Sequence, residues 1–364
     1  MTEKTMTMYD YILEQRPVLL NIIDKRDTIV TELKVALQAR KPAIAEIIIC
    51  GSGTSLHAGI AMKKFMEDII GVNVRVEYPM FFKDLSKVFY GENTIFIGVS
   101  QSGGSRSTIE ALEKAKAAGA LTIAVSEGEA PKIFKNADVK VQMSCGPEYC
   151  VAKTKGYLAS MAILALIAME IALAKNTIDE KGCASYLEAM ASSFERIDEL
   201  ITKSTAWVES LKEELIASRR MIVLGYENNY ATVLEGALKL LETLRYGVSG
   251  YEMEEFCHGI YNSIKPDCYI LYLASAGQYK KRAFQLKNIL AEITDKQYII
   301  CSSDDDHQAT DRDLVLDFSE DHYFSVFEYI IPIQVLCSII PYELGIDPSK
   351  ASDPQFHSKI GSKS

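Results

Sequence analysis

The clearest pattern along the chain is a series of short apolar runs that alternate with longer stretches of helical periodicity. Five apolar runs in the first half predict strands, at residues 45–50, 72–78, 94–99, 121–126 and 137–141. Helices are predicted between them, as at residues 56–70 and at residues 109–117, and the second of these stretches contains no helix breaker. This alternation predicts a parallel sheet covered by helices on both faces.

The same alternation returns after a long helical region at residues 157–175 and about 185–218. Further strands are predicted at residues 220–224, 269–274, 297–301 and 314–318. Helices are predicted between and after them, at residues 231–244, 278–293 and 323–344. The first strands of the two halves lie about 175 residues apart, so the chain is predicted to contain two similar α/β domains.

Glycine and hydroxyl residues follow two of the predicted strands. One group is Gly51–Ser55, and the other runs from Gly98 to Thr108 with the sequence Gly-Val-Ser-Gln-Ser-Gly-Gly-Ser-Arg-Ser-Thr. The N–H groups and partial positive charge of a helix N-terminus attract anions, and Ser and Thr add hydroxyl donors. The pattern therefore favours binding of a phosphate monoester. An ordinary helix cap is the alternative, but it needs fewer hydroxyls.

The second half lacks this hydroxyl cluster, since it has Ser275-Ala-Gly-Gln where the first half has Ser100-Gln-Ser-Gly. One phosphate site per chain is the natural inference. Both hydroxyl-rich segments lie at the carboxyl ends of predicted strands, where open α/β sheets bind ligands.

Composition narrows the class of protein. The chain has 364 residues and a net charge of −10, which argues against a nucleic-acid partner. Its eight cysteines form no Cys-x-x-Cys pair and its start lacks the apolar segment of a signal peptide, so free thiols in a reducing cytoplasm are expected. The apolar stretch at residues 157–174 contains Ser160 and Glu170, which favours a buried helix over a membrane span.

Five motifs together resemble the tandem form of the sugar isomerase (SIS) domain family. This family includes the isomerase half of glucosamine-6-phosphate synthase and the fructosamine-6-phosphate deglycases, and the resemblance covers residues 20–364. The motifs are Cys50–Ser55, Ser100–Gly103, Gly146–Lys155, Leu234–Lys239 and Glu255–Gly259.

The resemblance implies two flavodoxin-like SIS domains, each a three-layer α/β/α arrangement around a five-stranded parallel sheet. The first would occupy residues 1–180, with a helical N-terminal extension and the phosphate site. The second would occupy residues 181–345 and carry the catalytic Glu and His. Residues 346–364 would form a tail that closes the active site.

The family's phosphate ligands correspond to six residues in the two segments that are rich in glycine and hydroxyl side chains. These are Thr54, Ser55, Ser100, Gln101, Ser102 and Ser105. Weaker substrate contacts are implied for Gly53, Val151, Ala152, Glu235, Lys239 and His357. The chain departs from the synthase at Gly104, where the synthase has Glu, and at Ser105, where it has Thr.

The catalytic Glu of the family falls on Glu242. Glu235, Lys239 and Glu242 are spaced by four and three residues, so they share one face of the predicted helix. A solvated Glu–Lys stripe is the alternative interpretation, although the rest of this helix is apolar.

The ring-opening His of the family falls on His258, in a predicted loop where a surface role is the alternative. In relatives this His reaches a neighbouring subunit, which implies a homodimer or larger assembly with shared active sites. The Schiff-base Lys falls on Lys359, near the end of the chain, where a frayed basic terminus is the alternative.

The synthase has an N-terminal glutaminase with a Cys next to the initiator Met, whereas this chain has Thr2. Without a protected ammonia source, we expect the same chemistry to run in the direction of amine release. The leading hypothesis is a deglycase or deaminase of an aminated hexose 6-phosphate. The alternatives are an aldose–ketose phosphosugar isomerase and a non-catalytic phosphosugar-binding regulator. No metal, cofactor, nucleic acid or membrane partner is expected.

Overall fold

The computed structural model describes residues 6–40, 43–84, 91–302 and 308–363. The chain divides into two compact units. The N-terminal unit comprises Pro17–Glu148, Lys155–Ala191 and Ala351–Ser364. The C-terminal unit comprises Met1–Arg16, Tyr149–Thr154 and Ser192–Lys350.

The described residues form helices and strands that alternate along most of the chain. The helices are α1 (Met8–Leu13), α2 (Gln15–Asp24), α3 (Arg26–Ile29), α4 (Thr31–Arg40), α5 (Thr54–Ile70), α6 (Pro79–Asp84), α7 (Arg106–Ala117), α8 (Lys155–Lys175), α9 (Glu180–Glu195), α10 (Ile197–Ser210), α11 (Lys212–Ile216), α12 (Asn229–Leu244), α13 (Met253–Phe256), α14 (Lys280–Leu290), α15 (Val326–Tyr329), α16 (Ile331–Glu343) and α17 (Phe356–Ile360). The strands are β1 (Glu46–Cys50), β2 (Asn73–Glu77), β3 (Thr94–Val99), β4 (Leu121–Ser126), β5 (Val139–Gln142), β6 (Met221–Gly225), β7 (Val248–Glu252), β8 (Tyr269–Ala274), β9 (Gln297–Cys301) and β10 (Leu314–Val315).

The sheet of the N-terminal unit has the order β2-β1-β3-β4-β5, and all its pairings are parallel. Every residue of β1, β3 and β4 is buried, as expected for central strands covered on both faces. On one face Ile48 and Phe96 pack against Phe82 of α6 and Leu112 of α7. On the other face Ile49 lies against Gly59 of α5. The predicted three-layer α/β arrangement is confirmed.

The sheet of the C-terminal unit has the order β10-β9-β8-β6-β7, again with only parallel pairings. Read from the other edge, this is the same strand order as in the N-terminal unit. The five-stranded sheet is confirmed, but one of its members, β7, was absent from the sequence pattern. Ser249, Gly250 and Glu252 interrupt its apolar run, and an edge strand tolerates them because it is only partly buried.

Each compact unit combines segments that are separate in the sequence. Helix α1 belongs to the C-terminal unit, where Tyr11 accepts a hydrogen bond from the Tyr149 N–H at 3.2 Å. The segment Tyr149–Thr154 belongs there too, since the Val151 N–H donates to the Ser349 carbonyl at 3.3 Å. The terminal residues Ala351–Ser364 belong to the N-terminal unit.

Two segments are long and apolar enough to cross a membrane by length and composition alone, Lys155–Lys175 and Val326–Glu343. Inside the protein, 89% and 83% of their most apolar stretches are buried. Such burial is typical of core helices, and it agrees with the prediction of a buried helix at residues 157–174. All eight cysteines are free thiols, and Cys257 alone among them is partly exposed.

Candidate active site

The two hydroxyl-rich segments lie side by side at one edge of the N-terminal sheet. They follow β1 and β3, which are adjacent parallel strands with Cys50 opposite Gly98. In a sheet of this order, the connections leave β1 and β3 toward opposite faces, and ligands bind in the resulting crevice. The structure therefore brings Thr54 and Ser55 to the same edge as Ser100–Ser105, with the N-termini of α5 and α7 beside them.

The turn after β3 is held firmly to the neighbouring strand. The Ser100 N–H donates to the Val125 carbonyl, and the Gly103 N–H donates to the Ser100 carbonyl at 2.9 Å. Gly103 has a φ of +64°, a conformation that favours glycine. Ser100 is buried and Ser102 is exposed, so the turn presents hydroxyls at different depths.

The hydroxyls at the start of α5 and α7 do not act as ordinary helix caps. Ser105 is the N-cap residue of α7, but its side chain makes no capping hydrogen bond and instead lies 2.9 Å from the Thr108 hydroxyl. The N-cap residue of α5 is Gly53, which has no side chain to offer. This arrangement counts against the capping interpretation and fits a site for an anionic ligand.

Gln101 is held by a buried carboxylate that the sequence analysis did not assign. Its Nε2 donates to Glu148 at 3.2 Å, and the Gly156 N–H donates to the same carboxylate oxygen at 3.1 Å. The sequence shows that Glu148 belongs to the motif Gly146–Lys155. It does not show that Glu148 contacts Gln101, which lies 47 residues earlier in the chain.

The C-terminal tail lies against the start of α7. The Arg106 N–H donates to the Ser362 carbonyl at 3.3 Å, and Ser105 forms an antiparallel bridge with Lys363. His357 Nδ1 lies 2.8 Å from the Ser362 hydroxyl. Both predicted tail residues, His357 and Lys359, are thus in the same unit as the phosphate turns.

Lys359 is exposed and paired in this arrangement. Its Nζ lies 2.8 Å from Asp353, and the side chain is 60% exposed. The Lys359 ammonium lowers the pKa of Asp353 through that hydrogen bond. The lysine is therefore held as an ion pair on the tail, and a covalent role would require this pair to open.

The C-terminal unit contains the second group of predicted residues, on α12. Lys239 lies 2.5 Å from Glu242 and 3.6 Å from Glu235, which confirms that the three share one helix face. Glu235 and Lys239 are almost fully buried, whereas the Glu242 side chain is 28% exposed. Burial by itself lowers the pKa of Lys239, but the two carboxylates outweigh it and the net shift is upward. The triad is a buried charge cluster with one accessible carboxylate, and not a solvated stripe.

The remaining predicted residues of the C-terminal unit lie in loops. His258 is exposed just after α13, and its N–H donates to the Glu255 carbonyl at 3.0 Å. Val151 is 43% exposed, whereas Ala152 is buried.

The equivalent edge of the C-terminal sheet is chemically different. A cavity of about 80 Å³ lies there, after β6 and β8. Glu227, Glu320 and Asp321 line it, together with Ser275. Its carboxylates disfavour an anion. Across the described part of the chain, no three His, Cys, Asp or Glu side chains are grouped so that they could hold a metal ion.

Comparisons with known proteins agree with this geometry. Residues 44–170 match the profile of the SIS domain. A Clostridium difficile 630 protein, described as a candidate phosphosugar isomerase, has 33% identity and a TM-score of 0.93, with 99% of each chain covered. The C-terminal domain of glucosamine-fructose-6-phosphate aminotransferase from Francisella tularensis shares the fold, with a TM-score of 0.83 at 22% identity over 96% of this chain and 99% of that one.

A curated relative gives the same picture over part of its length. The isomerizing glutamine–fructose-6-phosphate aminotransferase of Bacteroides thetaiotaomicron is 30% identical over 245 residues, which are 67% of this chain and 40% of that protein. The chain thus spans less than half the length of this relative.

Proposed function

Because the chain belongs to the SIS domain family, whose relatives include phosphosugar isomerases and deaminases, we propose that it is an enzyme acting on an aminated hexose 6-phosphate. The proposed reaction hydrolyses the carbon–nitrogen bond and releases an amine, as in a deglycase or deaminase. We infer the substrate class from the proposed phosphate-binding turns and from the relatives in the family.

The observation that carries this proposal is the pair of hydroxyl turns after β1 and β3. Thr54, Ser55, Ser100, Ser102 and Ser105 offer hydroxyl donors, and the N-termini of α5 and α7 offer amide dipoles. We assign these turns to the phosphate group. A firmly held phosphate positions the distant reacting carbons and puts remote binding energy to use.

Glu242 is the proposed proton carrier. In an open-chain 1-amino-ketose, it takes a proton from C1 and returns it to C2, while the amine N–H proton passes to the C2 oxygen. The C2 carbonyl thus becomes a hydroxyl and an imine forms at C1. Water then adds to C1 and the amine leaves, so that substrate and water give hexose 6-phosphate and amine. His258 is assigned to ring opening, and its exposure is compatible with a role in an assembly with shared sites.

The pairing with Lys239 supports this role for Glu242. The buried ammonium fixes one side of the carboxylate, and the exposed fraction leaves the other side accessible. Such a group is both oriented and reachable, as a general base must be. Lys359 is a weaker candidate for covalent chemistry because its ammonium is paired with Asp353.

The test compares Glu242→Gln with the wild type on a 6-phosphofructosamine and on glucosamine 6-phosphate. We expect kcat to fall by about 10²–10⁴-fold, while calorimetric binding of glucosamine 6-phosphate is retained. Glu199→Gln, at an exposed ion pair on α10, serves as the matched control and should retain full activity.

The products decide between the candidate activities. Release of amine or ammonia supports the deglycase or deaminase, and interconversion of hexose 6-phosphates without it indicates an isomerase instead. Binding without turnover by the wild type indicates a regulator. Near-normal turnover by Glu242→Gln would show that the assignment of Glu242 is wrong.

A further inference from the structure

We infer that Glu148 and Gly156 are positioning residues that fix the side chain of Gln101 for contact with the ligand. This inference rests on the proposed function, which places Gln101 among the groups that bind the phosphosugar. All three residues belong to the N-terminal unit.

Glu148 provides the first constraint, which is a buried charge. The residue is only 7% exposed, and one carboxylate oxygen accepts from both Gln101 Nε2 and the Gly156 N–H. Gly156 is the second residue of the 21-residue helix α8, so its amide lies at the positive end of that helix. The helix dipole and the two donors offset the cost of burying the carboxylate.

The charge also determines which end of the Gln101 amide faces Glu148. A carboxylate only accepts hydrogen bonds, so the nitrogen end must face it, and a flipped amide would bring two oxygen atoms together. The carbonyl oxygen Oε1 and the second N–H are then left for other partners. No residue in the described ranges donates a hydrogen bond to Gln101 Oε1, so this acceptor is available to a sugar hydroxyl.

Gly156 provides the second constraint, which is space. A Cβ atom at this position would lie 2.2 Å from Gln101 Nε2 and 2.3 Å from both Cδ and Oε1. The amide group therefore lies directly on the helix backbone, where any larger residue would displace it. Gly156 does not have a positive φ, and glycine costs a helix about 0.5–1 kcal/mol relative to alanine. Close approach of Gln101 explains why glycine is present at this position.

The backbone of Gln101 is anchored separately. Its carbonyl accepts the Glu127 N–H at 3.0 Å and the Ser126 hydroxyl at 3.3 Å. Changes at Glu148 or Gly156 should consequently move the Gln101 side chain while the turn itself stays in place.

A double-mutant cycle tests the inference, with fructose 6-phosphate and glucosamine 6-phosphate as calorimetric probes of binding to the full chain. Glu148→Ala and Gln101→Ala should each weaken binding about tenfold. Because Glu148 acts through Gln101, the double variant should bind as well as Gln101→Ala alone. Gly156→Ala should also weaken binding, and it should have no further effect in the Gln101→Ala background, where the displaced side chain is gone.

Gly182→Ala is the matched control, since Gly182 lies in the first turn of helix α9 in the same unit and a Cβ there comes no closer than 3.3 Å to Asp179. It should leave binding unchanged. If Glu148→Ala does not fold, Glu148→Gln keeps the side-chain shape and replaces it in the cycle.

The outcomes separate two failures. Additive losses in the cycle, or normal binding by Gly156→Ala, would overturn the positioning role while leaving the proposed function intact. If the wild type binds neither sugar phosphate nor inorganic phosphate, the proposed function fails and this inference fails with it. If the wild type binds the sugar phosphates and the losses of affinity in the variants are non-additive, the result supports both the proposed function and the positioning role.

Discussion

Lys239 shows how a single buried residue can organise a polar site. Removing an ammonium from water is costly, and the cost is offset only when carboxylates and good geometry surround it. Here Glu235 and Glu242 meet that condition, and together they raise the pKa of Lys239 despite its burial. A lysine that stays protonated is not a nucleophile, and its ammonium lies 2.5 Å from the carboxylate of Glu242, the more accessible of the two.

Lys239→Met is expected to lower the free energy of unfolding by about 3 kcal/mol or more, because it leaves buried Glu235 without its cation. Lys203→Met, at an exposed i,i+4 pair on α10, should change it by about 0.5 kcal/mol or less. Urea unfolding of both variants measures the difference. Equal midpoints and slopes for the two would contradict a stabilising role for the buried cluster.

At the scale of elements, the β3–α7 connection was the part of the site that local sequence could predict. Apolar residues define β3, the breaker-free run defines α7, and glycines and hydroxyls mark the turn between them. These signals are local, so periodicity and composition are enough to find them. The shared helix face of Glu235, Lys239 and Glu242 was predictable for the same reason, since their spacing fixes it.

Other features depend on packing between distant parts of the chain, and local sequence could not reveal them. β7 is a strand because it pairs with β6, although Ser249 and Gly250 interrupt its apolar run. The strand expected at residues 314–318 is only two residues long, since pairing with β9 ends at Val315. Glu148 meets Gln101 only after the fold brings the start of α8 to the turn.

Gly103→Ala is predicted to disrupt the β3–α7 turn. A Cβ at this position would lie 2.1 Å from the Pro131 Cβ, in addition to the strain of a φ of +64°. We expect at least a tenfold loss of fructose 6-phosphate affinity by calorimetry, since the turn must shift to relieve the contact.

Gly71→Ala separates the two effects. Gly71 has a φ of +71° at the end of α5, but nothing lies within 4 Å of its Cβ position. It should share the backbone cost, about 1 kcal/mol, without the clash, and it should bind the ligand normally. Equal binding by the two variants would show that the tight contact with Pro131 is unimportant for the site.

At the scale of the whole molecule, each unit is completed by segments from distant parts of the chain. Repeated strand patterns predict two α/β domains. They do not show which unit a short segment such as α1 or the tail joins, because that depends on the surface that buries the segment. In α1, Met8 and Ile12 are fully buried, and in the tail the backbone of Ser362 is paired with α7.

Glu328 is expected to give the stability of the protein a specific pH dependence. Burial raises the pKa of this carboxyl above the ordinary value of 4.5, although the Ser319 N–H donates to it at 2.8 Å. The folded state therefore holds its proton more tightly than the unfolded chain, so the free energy of unfolding falls as the pH rises above about 4.5. The slope from this group is at most about 1.4 kcal/mol per pH unit.

Glu328→Gln should flatten that slope in urea unfolding measured from pH 4.5 to 7.5. Glu254→Gln is the control, because Arg282 lowers the pKa of Glu254 and its contribution is lost only as the pH falls below this range. An unchanged slope in Glu328→Gln would mean that Glu328 does not titrate differently in the folded protein.

The pairing of Ser362 and Lys363 with the first residues of α7 has a practical consequence for anyone who prepares this protein. An affinity tag or fusion partner attached at the carboxyl end would pull on a backbone that is bonded to the Ser105–Arg106 junction. Such an attachment is therefore expected to disturb the turn between β3 and α7, and assays made with it would measure an altered turn.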